Sequence, residues 1–522
     1  MTEVLTPSNP GTDDYSDLPQ RQAAILLGSI LVVALCGIVY ELIIGTVSSY
    51  LIGDSVHQFS LTIGFFMFAM GIGSYVSRFL HGNLIQIFIR VELVLAVIGG
   101  LCSISLFMLF PFAPWFYQTG MFLFISTIGF LVGLEIPLLT RVLSQRSNMR
   151  ESLADVLSLD YIGALIGSVA FPLLLLPSLG LITASFAVGL TNALVALLNV
   201  FWLRDYLDRP RRMLAYVGLT IVVLFGLTLV ASRITAYAQD HLYFDQVVWK
   251  AQSPYQSLVV TNTWRTDDVR LFIDGHLQFA EVDEYRYHEA LVHPVLSWTP
   301  GAPKSVLILG GGDGLAVREV LRHPSVQRID LVDLDPEMTR LGAEFPPVRQ
   351  LNGDSLASDK VHVHNLDAFR YVRETDRIYD RIIIDFPDPH NEALSKLYSV
   401  EFYALVHAIL ADDGTLVTQS SSPFATRNTY WTVARTLEEV FPEIVSYQTS
   451  VPSFGIWGFH MASKVPDGTL GALPDSLRAL TPDAFEAART FSSDLMPTKT
   501  LEVNSIFNPT IYRRYAEDRK RL

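Results

Sequence analysis

Five aspartates stand where short apolar runs end, and their spacing suggests chemistry. In "YDRIIIDFPDP" (379–389) three consecutive isoleucines read as a buried strand, and Asp385 and Asp388 follow on a turn stiffened by Pro387 and Pro389. A buried strand thus delivers two carboxylates to one rigid turn, an arrangement that calls for a reason. In "LILGGGDGLAVREV" (307–320) Gly310, Gly311, Gly312 and Gly314 lie between a strand and a helix, so the backbone can approach a ligand closely. Asp333 ends the next strand 21 residues beyond Gly312, the distance at which an acid reaches ribose hydroxyls. Asp367 in "NLDAFRY" follows a third strand, where a carboxylate can accept from an exocyclic amine. Together these three features describe an adenosine pocket. Asp313 departs from the usual dinucleotide loop, because its charge points to where a pyrophosphate or the carboxylate of S-adenosylmethionine would sit. An adenosyl ligand carrying a bare amine suits it better. The plainer function of Asp313 is to cap the following helix.

The elements needed to position these residues are legible. "QSLVVTNTW", "VRLFID" and "LQFA" alternate as a small β-meander with Gly275 at a turn, and "DEYRYHEALVHP" (283–294) reads as a helix closed by Pro294. Strands are then predicted at 304–310, 327–335, 360–365, 379–386 and 414–420, each followed by a helix-like segment. That order implies a Rossmann-like, doubly wound α/β domain with ligands at the carboxyl ends of its strands. His362 and His364 share one strand face, and with no second ligand pair they read as a polar face, so no metal site is expected.

The first half of the chain belongs to a different solvent. Seven apolar stretches (approximately 23–49, 59–80, 84–110, 114–140, 156–177, 179–203 and 213–232) are long enough to cross a bilayer as helices. The fold class expected is therefore a multipass α-helical membrane domain, then the meander, then the α/β domain. The segments are a tail at 1–22, the spans at 23–232, the meander and helix at 240–300, the α/β domain at 301–465 and a helical extension at 466–522. A net charge of -14 gives no broad basic face for nucleic acid, and two cysteines, Cys36 and Cys102, exclude a disulfide scaffold. Arginines fill the second, fourth and sixth loops (Arg78 and Arg90; Arg141, Arg146 and Arg150; Arg204, Arg209, Arg211 and Arg212) and are absent from the odd-numbered ones. The positive-inside rule makes the even loops cytoplasmic, which with seven crossings puts the N-terminus inside and the C-terminal half outside. Glu41, Glu92, Glu135 and Asp160 lie in or near the spans, where an ionised group is costly unless paired. Pairing with Arg78, Arg90 or Arg141 is the structural explanation; a functional site is the other. Gly163 with Gly167, and Gly71 with Gly73, read as faces for close helix packing.

"YQSLVV", "LFIDGHLQFAEVDEYRYHEALVHP", "VLILGGGDGLAVREVLRH", "LVDLD", "YDRIIIDFPDP" and "SFGIWGFHMAS" run in the order seen in polyamine aminopropyltransferases, the spermidine synthase family, over roughly residues 245 to 465. With its apolar half the chain resembles the family's bacterial membrane-fused branch. The resemblance implies a donor, decarboxylated S-adenosylmethionine, used as co-substrate with no further cofactor, an acceptor diamine, putrescine foremost, and a homodimer. It implies that Asp385 is the base and that Asp388 holds the acceptor. Asp313 and His288 would bind the aminopropyl end of the donor, Asp333 its ribose and Asp367 its adenine, with Gln256 and Tyr287 lining the same pocket. Where many members read Asp-Ser-Ser-Asp-Pro this chain has Phe386-Pro387 between the acids, and a Tyr-Pro-Ser-Gly stretch becomes Val451-Pro452-Ser453-Phe454. Those departures bear on the choice of amine. The implied donor is cytosolic, which conflicts with the loop charges unless one span is re-entrant or the donor is exported. The competing functions are a methyltransferase using intact S-adenosylmethionine and a membrane protein that binds or transports polyamines without catalysis.

Overall fold

The computed structural model describes residues 15–16, 18–52, 55–146, 148–243, 245–298 and 301–520. Most of the expected N-terminal tail lies outside the described residues. The chain divides into two compact units, Met1–Phe244 and Asp245–Leu522.

The first unit is a bundle of α1 (Gln20–Ile52), α2 (Ser55–Ser77), α3 (Leu84–Phe112), α4 (Tyr117–Leu143), α5 (Met149–Ala170), α6 (Leu176–Trp202) and α7 (Pro210–Tyr243). Six stretches are long and apolar enough to cross a membrane by length and composition, and one of these, Met149–Trp202, is 54 residues long. It is two helices in effect. Gly180, with φ 69° and ψ 174°, interrupts it, and contacts on either side run in opposite senses. Gly163 and Gly167 of α5 meet α1 at Leu31 and Leu35 in parallel, whereas on α6 Cys36 meets Val188 and Ser29 meets Asn199, antiparallel. Seven helices therefore alternate in direction.

Three expectations need correction. The seventh helix continues to Tyr243, past 232, because no Pro or Gly interrupts "TLVASRITAYAQDHLY". In α2 it is Gly73, not Gly71, that makes a close approach: a Cβ there would lie 2.1 Å from the Phe130 carbonyl oxygen, while nothing lies within 4 Å of one on Gly71. Arg141 does not pair with an acid. Its guanidinium donates to the Ser77 and Leu80 carbonyls at 3.1 and 2.9 Å, which ties α4 to the end of α2.

The second unit opens with a four-stranded antiparallel meander, β1 (Gln246–Gln252), β2 (Ser257–Asn262), β3 (Val269–Ile273) and β4 (His276–Ala280). Helix α8 (Glu284–Leu296) follows and runs through Pro294 instead of stopping at it. The hydrogen bond that Pro294 cannot donate would go to the Ala290 carbonyl, and the Tyr447 hydroxyl donates there instead, at 2.9 Å. Next come β5 (Ser305–Gly310), α9 (Leu315–Val320), β6 (Arg328–Asp333), α10 (Pro336–Glu344), α11 (Pro346–Leu351), β7 (Val361–Asn365), α12 (Ala368–Glu374) and β8 (Tyr379–Asp385). The unit ends with α13 (Glu392–Ser395), α14 (Val400–Ile409), β9 (Leu410–Gln419), α15 (Arg427–Leu437), the hairpin β10 (Glu443–Val451) and β11 (Gly455–Ser463), α16 (Pro482–Ala488) and α17 (Ile511–Arg519). Seven strands form one sheet in the order β10-β11-β9-β8-β5-β6-β7, parallel from β9 to β7, with β11 antiparallel to both β9 and β10. Chain order reverses between β5 and β8, whose last residues, Gly310 and Asp385, are register partners. A crevice at that reversal is where such sheets bind ligands.

Candidate active site

A cleft of about 510 Å³ opens at the carboxyl ends of β5, β6 and β8, walled by β3, β4, α8 and the β10–β11 turn. Gln256, Tyr287, His288, Gly310, Gly311, Gly312, Asp313, Asp333, Asp367, Asp385 and Asp388 all line it. Gly314 does not; with φ 82° it caps the start of α9.

The glycine loop is shaped by what passes behind it. A Cβ on Gly310 would lie 2.1 Å from the Asp385 carbonyl oxygen, and one on Gly312 2.6 Å from Asp333 Oδ2. Gly310, at φ 87°, also holds a backbone conformation that other residues rarely adopt. The Gly312 N–H donates to Asp333 Oδ2 at 3.0 Å and the Asp335 N–H to Oδ1 at 2.9 Å. Burial nonetheless pushes the Asp333 carboxyl up to about 6. Asp313, just before the N-cap Gly314, takes the N–H of Leu315, the first residue of α9, at 2.9 Å, and it also faces the cleft. Its carboxyl is raised by burial, against the pull of His288. Asp367 caps α12 through the Arg370 N–H at 3.0 Å and pairs with Lys396 at 3.0 Å; burial raises its carboxyl, but these partners outweigh burial and hold it below the usual range.

His288 anchors a buried charge relay. Its Nδ1 lies 2.8 Å from Glu284 Oε2, and both Glu284 oxygens accept from Arg318 at 2.9 Å. Burial lowers the imidazole's affinity for a proton, yet Glu284, Asp313 and Asp385 outweigh it and raise the net value.

Asp385 and Asp388 are built alike. The Tyr287 hydroxyl donates to Asp385 Oδ1 at 2.5 Å, leaving Oδ2, on the Gly311 side, without a hydrogen bond. The Tyr515 hydroxyl donates to Asp388 Oδ2 at 3.0 Å, and Oδ1 is buried without a partner. Burial pushes both carboxyls up to about 6: His288 and Tyr287 oppose it at Asp385, and Tyr515, Ser421, Arg519 and Gln419 oppose it at Asp388. The turn between them is fixed from behind. The Tyr398 hydroxyl donates to the Pro387 carbonyl at 3.0 Å, Gln419 Nε2 donates to the Phe386 carbonyl, and the Phe386 ring packs against Phe402 at 5.8 Å.

The sequence did not disclose the role of the C-terminal segment, expected only as an extension at 466–522. Helix α17 forms a wall of the cleft with Tyr515 and Arg519. Asp518 clamps it, accepting from Asn428 Nδ2 at 2.8 Å, the Thr429 N–H at 3.0 Å and its hydroxyl at 3.1 Å. The available signal was the spacing of Tyr515 and Arg519, one helical turn apart; nothing local says which surface that face meets. His276 and His390, with ring centroids 5.4 Å apart, also line this end. Burial and His276 pull His390 down to about 4, and burial and Arg519 lower His276. On β7, His364 pairs with Asp330 at 2.8 Å, and no cluster suited to a metal occurs among the described residues.

A family model described as the spermine/spermidine synthase domain matches residues 284–470. A polyamine aminopropyltransferase of Leptospira interrogans is 42% identical over 95% of this chain and 98% of its own length, and one of Streptomyces coelicolor is 41% identical over 99% and 97%. Among solved structures, a spermidine synthase in complex with the transition state analogue AdoDATO is 26% identical, covers 53% of this chain and 89% of its own, and superposes with a TM-score of 0.40. The relatives' similarity runs through the bundle as well as the cleft-bearing unit, and on that evidence the chain belongs to the polyamine aminopropyltransferase family and is an aminopropyltransferase enzyme.

Proposed function

We propose that the cleft transfers the aminopropyl group of decarboxylated S-adenosylmethionine to a diamine, putrescine foremost, giving spermidine and methylthioadenosine. The observation that carries this is the matched pair Asp385 and Asp388. Each is half-buried at the end of a strand or the turn after it, held at one oxygen by a tyrosine hydroxyl, with no hydrogen bond to the other oxygen.

A diamine enters protonated, and with a pKa near that of lysine, about 10.4, losing one proton costs roughly 5 kcal/mol at neutral pH. Asp388 receives the amine at its free oxygen, and Asp385 takes the proton as the nitrogen lone pair attacks the aminopropyl carbon next to the sulfonium. The N–C bond forms, the C–S bond breaks, and its electron pair stays on sulfur, so methylthioadenosine leaves uncharged. Asp313 and His288 hold the donor's aminopropyl end, Asp333 its ribose and Asp367 its adenine. A buried, negative Asp313 accommodates a donor amine and opposes an intact methionine carboxylate, which speaks against methyl transfer from S-adenosylmethionine. The bundle, by length and apolarity, anchors the enzyme in a lipid bilayer. Protease accessibility of the second unit in sealed vesicles reports which side it occupies.

The test is to incubate the full chain with decarboxylated S-adenosylmethionine and a panel of di- and polyamines, reading methylthioadenosine and the new amine by mass. Putrescine is expected to give equal amounts of both products. No methylthioadenosine with any amine would overturn the proposal.

A further inference from the structure

Within the bundle, polar groups meet at one level with nothing to bind them. Glu92 of α3 is fully buried and Glu135 of α4 is 5% exposed. Both oxygens of Glu92 and Oε1 of Glu135 receive no donor from the backbone or from another residue type; the two carboxyls lie within hydrogen-bonding reach of each other, so they need a shared proton or a cation, and Asp160, half-buried on α5, is close to Glu135. Among the described residues no Lys, Arg or His forms an ion pair with any of them.

An independent observation comes from α6. Asn192 is fully buried, and neither its Oδ1 nor its Nδ2 has a partner. Its direction follows from its neighbours. A Cβ on Gly189, one turn earlier, would lie 2.7 Å from the Ala96 carbonyl oxygen of α3, and Asn199, two turns later, donates to Ser29 of α1 at 2.9 Å. Because α3 and α6 are antiparallel, Asn192 comes opposite Glu92, one turn before Ala96. Farther along the same face of α3, Tyr40 of α1 packs its ring on Gly99, and its hydroxyl is also buried and unpartnered.

Buried polar atoms are almost always paired, and those that are not point to a missing ligand or ordered group. We propose that Glu92, Glu135 and Asn192 form a second binding site, within the bundle, for a primary alkylammonium ion. A shared proton would satisfy the two carboxyls and leave Asn192 unpaired. An ammonium donates three hydrogen bonds, enough for one oxygen from each glutamate and Asn192 Oδ1, while Asn192 Nδ2 donates back to a carboxylate. One ammonium with one proton on the glutamate pair makes the site neutral, which a low-dielectric bundle requires. A hard metal cation wants six or more oxygens, and no metal-ligating cluster occurs here among the described residues. The site is separate from the catalytic cleft and stands without it.

The experiment is equilibrium binding of radiolabelled putrescine and spermidine to the full chain in detergent, without donor, at controlled sodium and pH. Two equivalents per chain are expected, falling to one in E92Q, in E135Q and in D388N. A wild-type stoichiometry of one that D388N abolishes overturns the proposal, and it decides the matter alone if the bundle variants fold poorly. So does a second equivalent that survives E92Q and E135Q, or a site that answers only to sodium or to pH. Loss of one equivalent in E92Q with none in D388N would sustain the bundle site and count against the cleft's assigned acceptor residue.

Discussion

Buried carboxyls in the two units are treated in opposite ways. In the cleft Asp313, Asp333, Asp385 and Asp388 each receive at least one donor from a backbone amide or a tyrosine. In the bundle neither oxygen of Glu92 receives any. A carboxylate aimed by a fixed donor is ready for a cation that arrives and leaves in each turnover, since its geometry does not have to be assembled at the moment of reaction. One with no protein partner relies on its ligand for neutrality. The difference suggests that the cleft is organised before substrate enters, whereas the acidic level of the bundle is completed by what it binds.

The largest expected effect tests how tightly the cleft is built. In G310A the new methyl has no room against the Asp385 carbonyl, and the residue would sit at φ 87°. A loss of about 3 kcal/mol in stability is expected, seen as a lower melting temperature, together with loss of transfer activity. In the bundle G71A, with nothing within 4 Å, should stay within about 0.5 kcal/mol of wild type. Equal effects would break the contrast.

D388N removes the charge proposed to receive the acceptor, and a rise of roughly 10- to 100-fold in acceptor KM is expected in steady-state assays, with donor binding by titration little changed. Y515F, which removes only the donor to Asp388 Oδ2, should raise the same KM by about tenfold. An unchanged KM in Y515F would return α17 to a purely structural role.

The pH dependence has a definite sign. Asp385 must be ionised to accept a proton, and burial raises its carboxyl to about 6. Thus kcat/KM should fall as pH drops through about 6. Because the Tyr287 hydrogen bond lowers that value, Y287F should move the acid limb upward, by about one unit. A downward move would mean that Tyr287 supports the neutral form.

The smallest effect belongs to Arg519, the one Arg or Lys lining the cleft among the described residues. It is exposed, so its repulsion of an ammonium is screened. R519Q should improve acceptor kcat/KM by less than about threefold, and only at low salt.

Much of the cleft was legible because strand ends announce themselves. Gly310, Asp333, Asp367 and Asp385 each stand at or just after the last residue of an apolar run, and the order of those runs fixes which ends are neighbours. Tyr515 and Arg519 were not legible, since they reach the cleft only through long-range packing such as the Asp518–Thr429 clamp. The Pro294 stop failed for the same reason: Tyr447, far along the chain, serves the carbonyl that the proline leaves open. In the bundle the long apolar helices were plain from apolarity, but arginine partners for the acids did not follow from loop position. Arg141 satisfies helix-end carbonyls instead.

The most direct test of the central claim is D385N in two parallel assays of the full chain, equilibrium binding of decarboxylated S-adenosylmethionine and single-turnover formation of methylthioadenosine with saturating putrescine. Donor affinity is expected to remain within a few-fold of wild type while the rate falls by roughly 10²- to 10⁴-fold. Equal loss of both, or a rate that survives, would contradict Asp385 as the group that takes the proton.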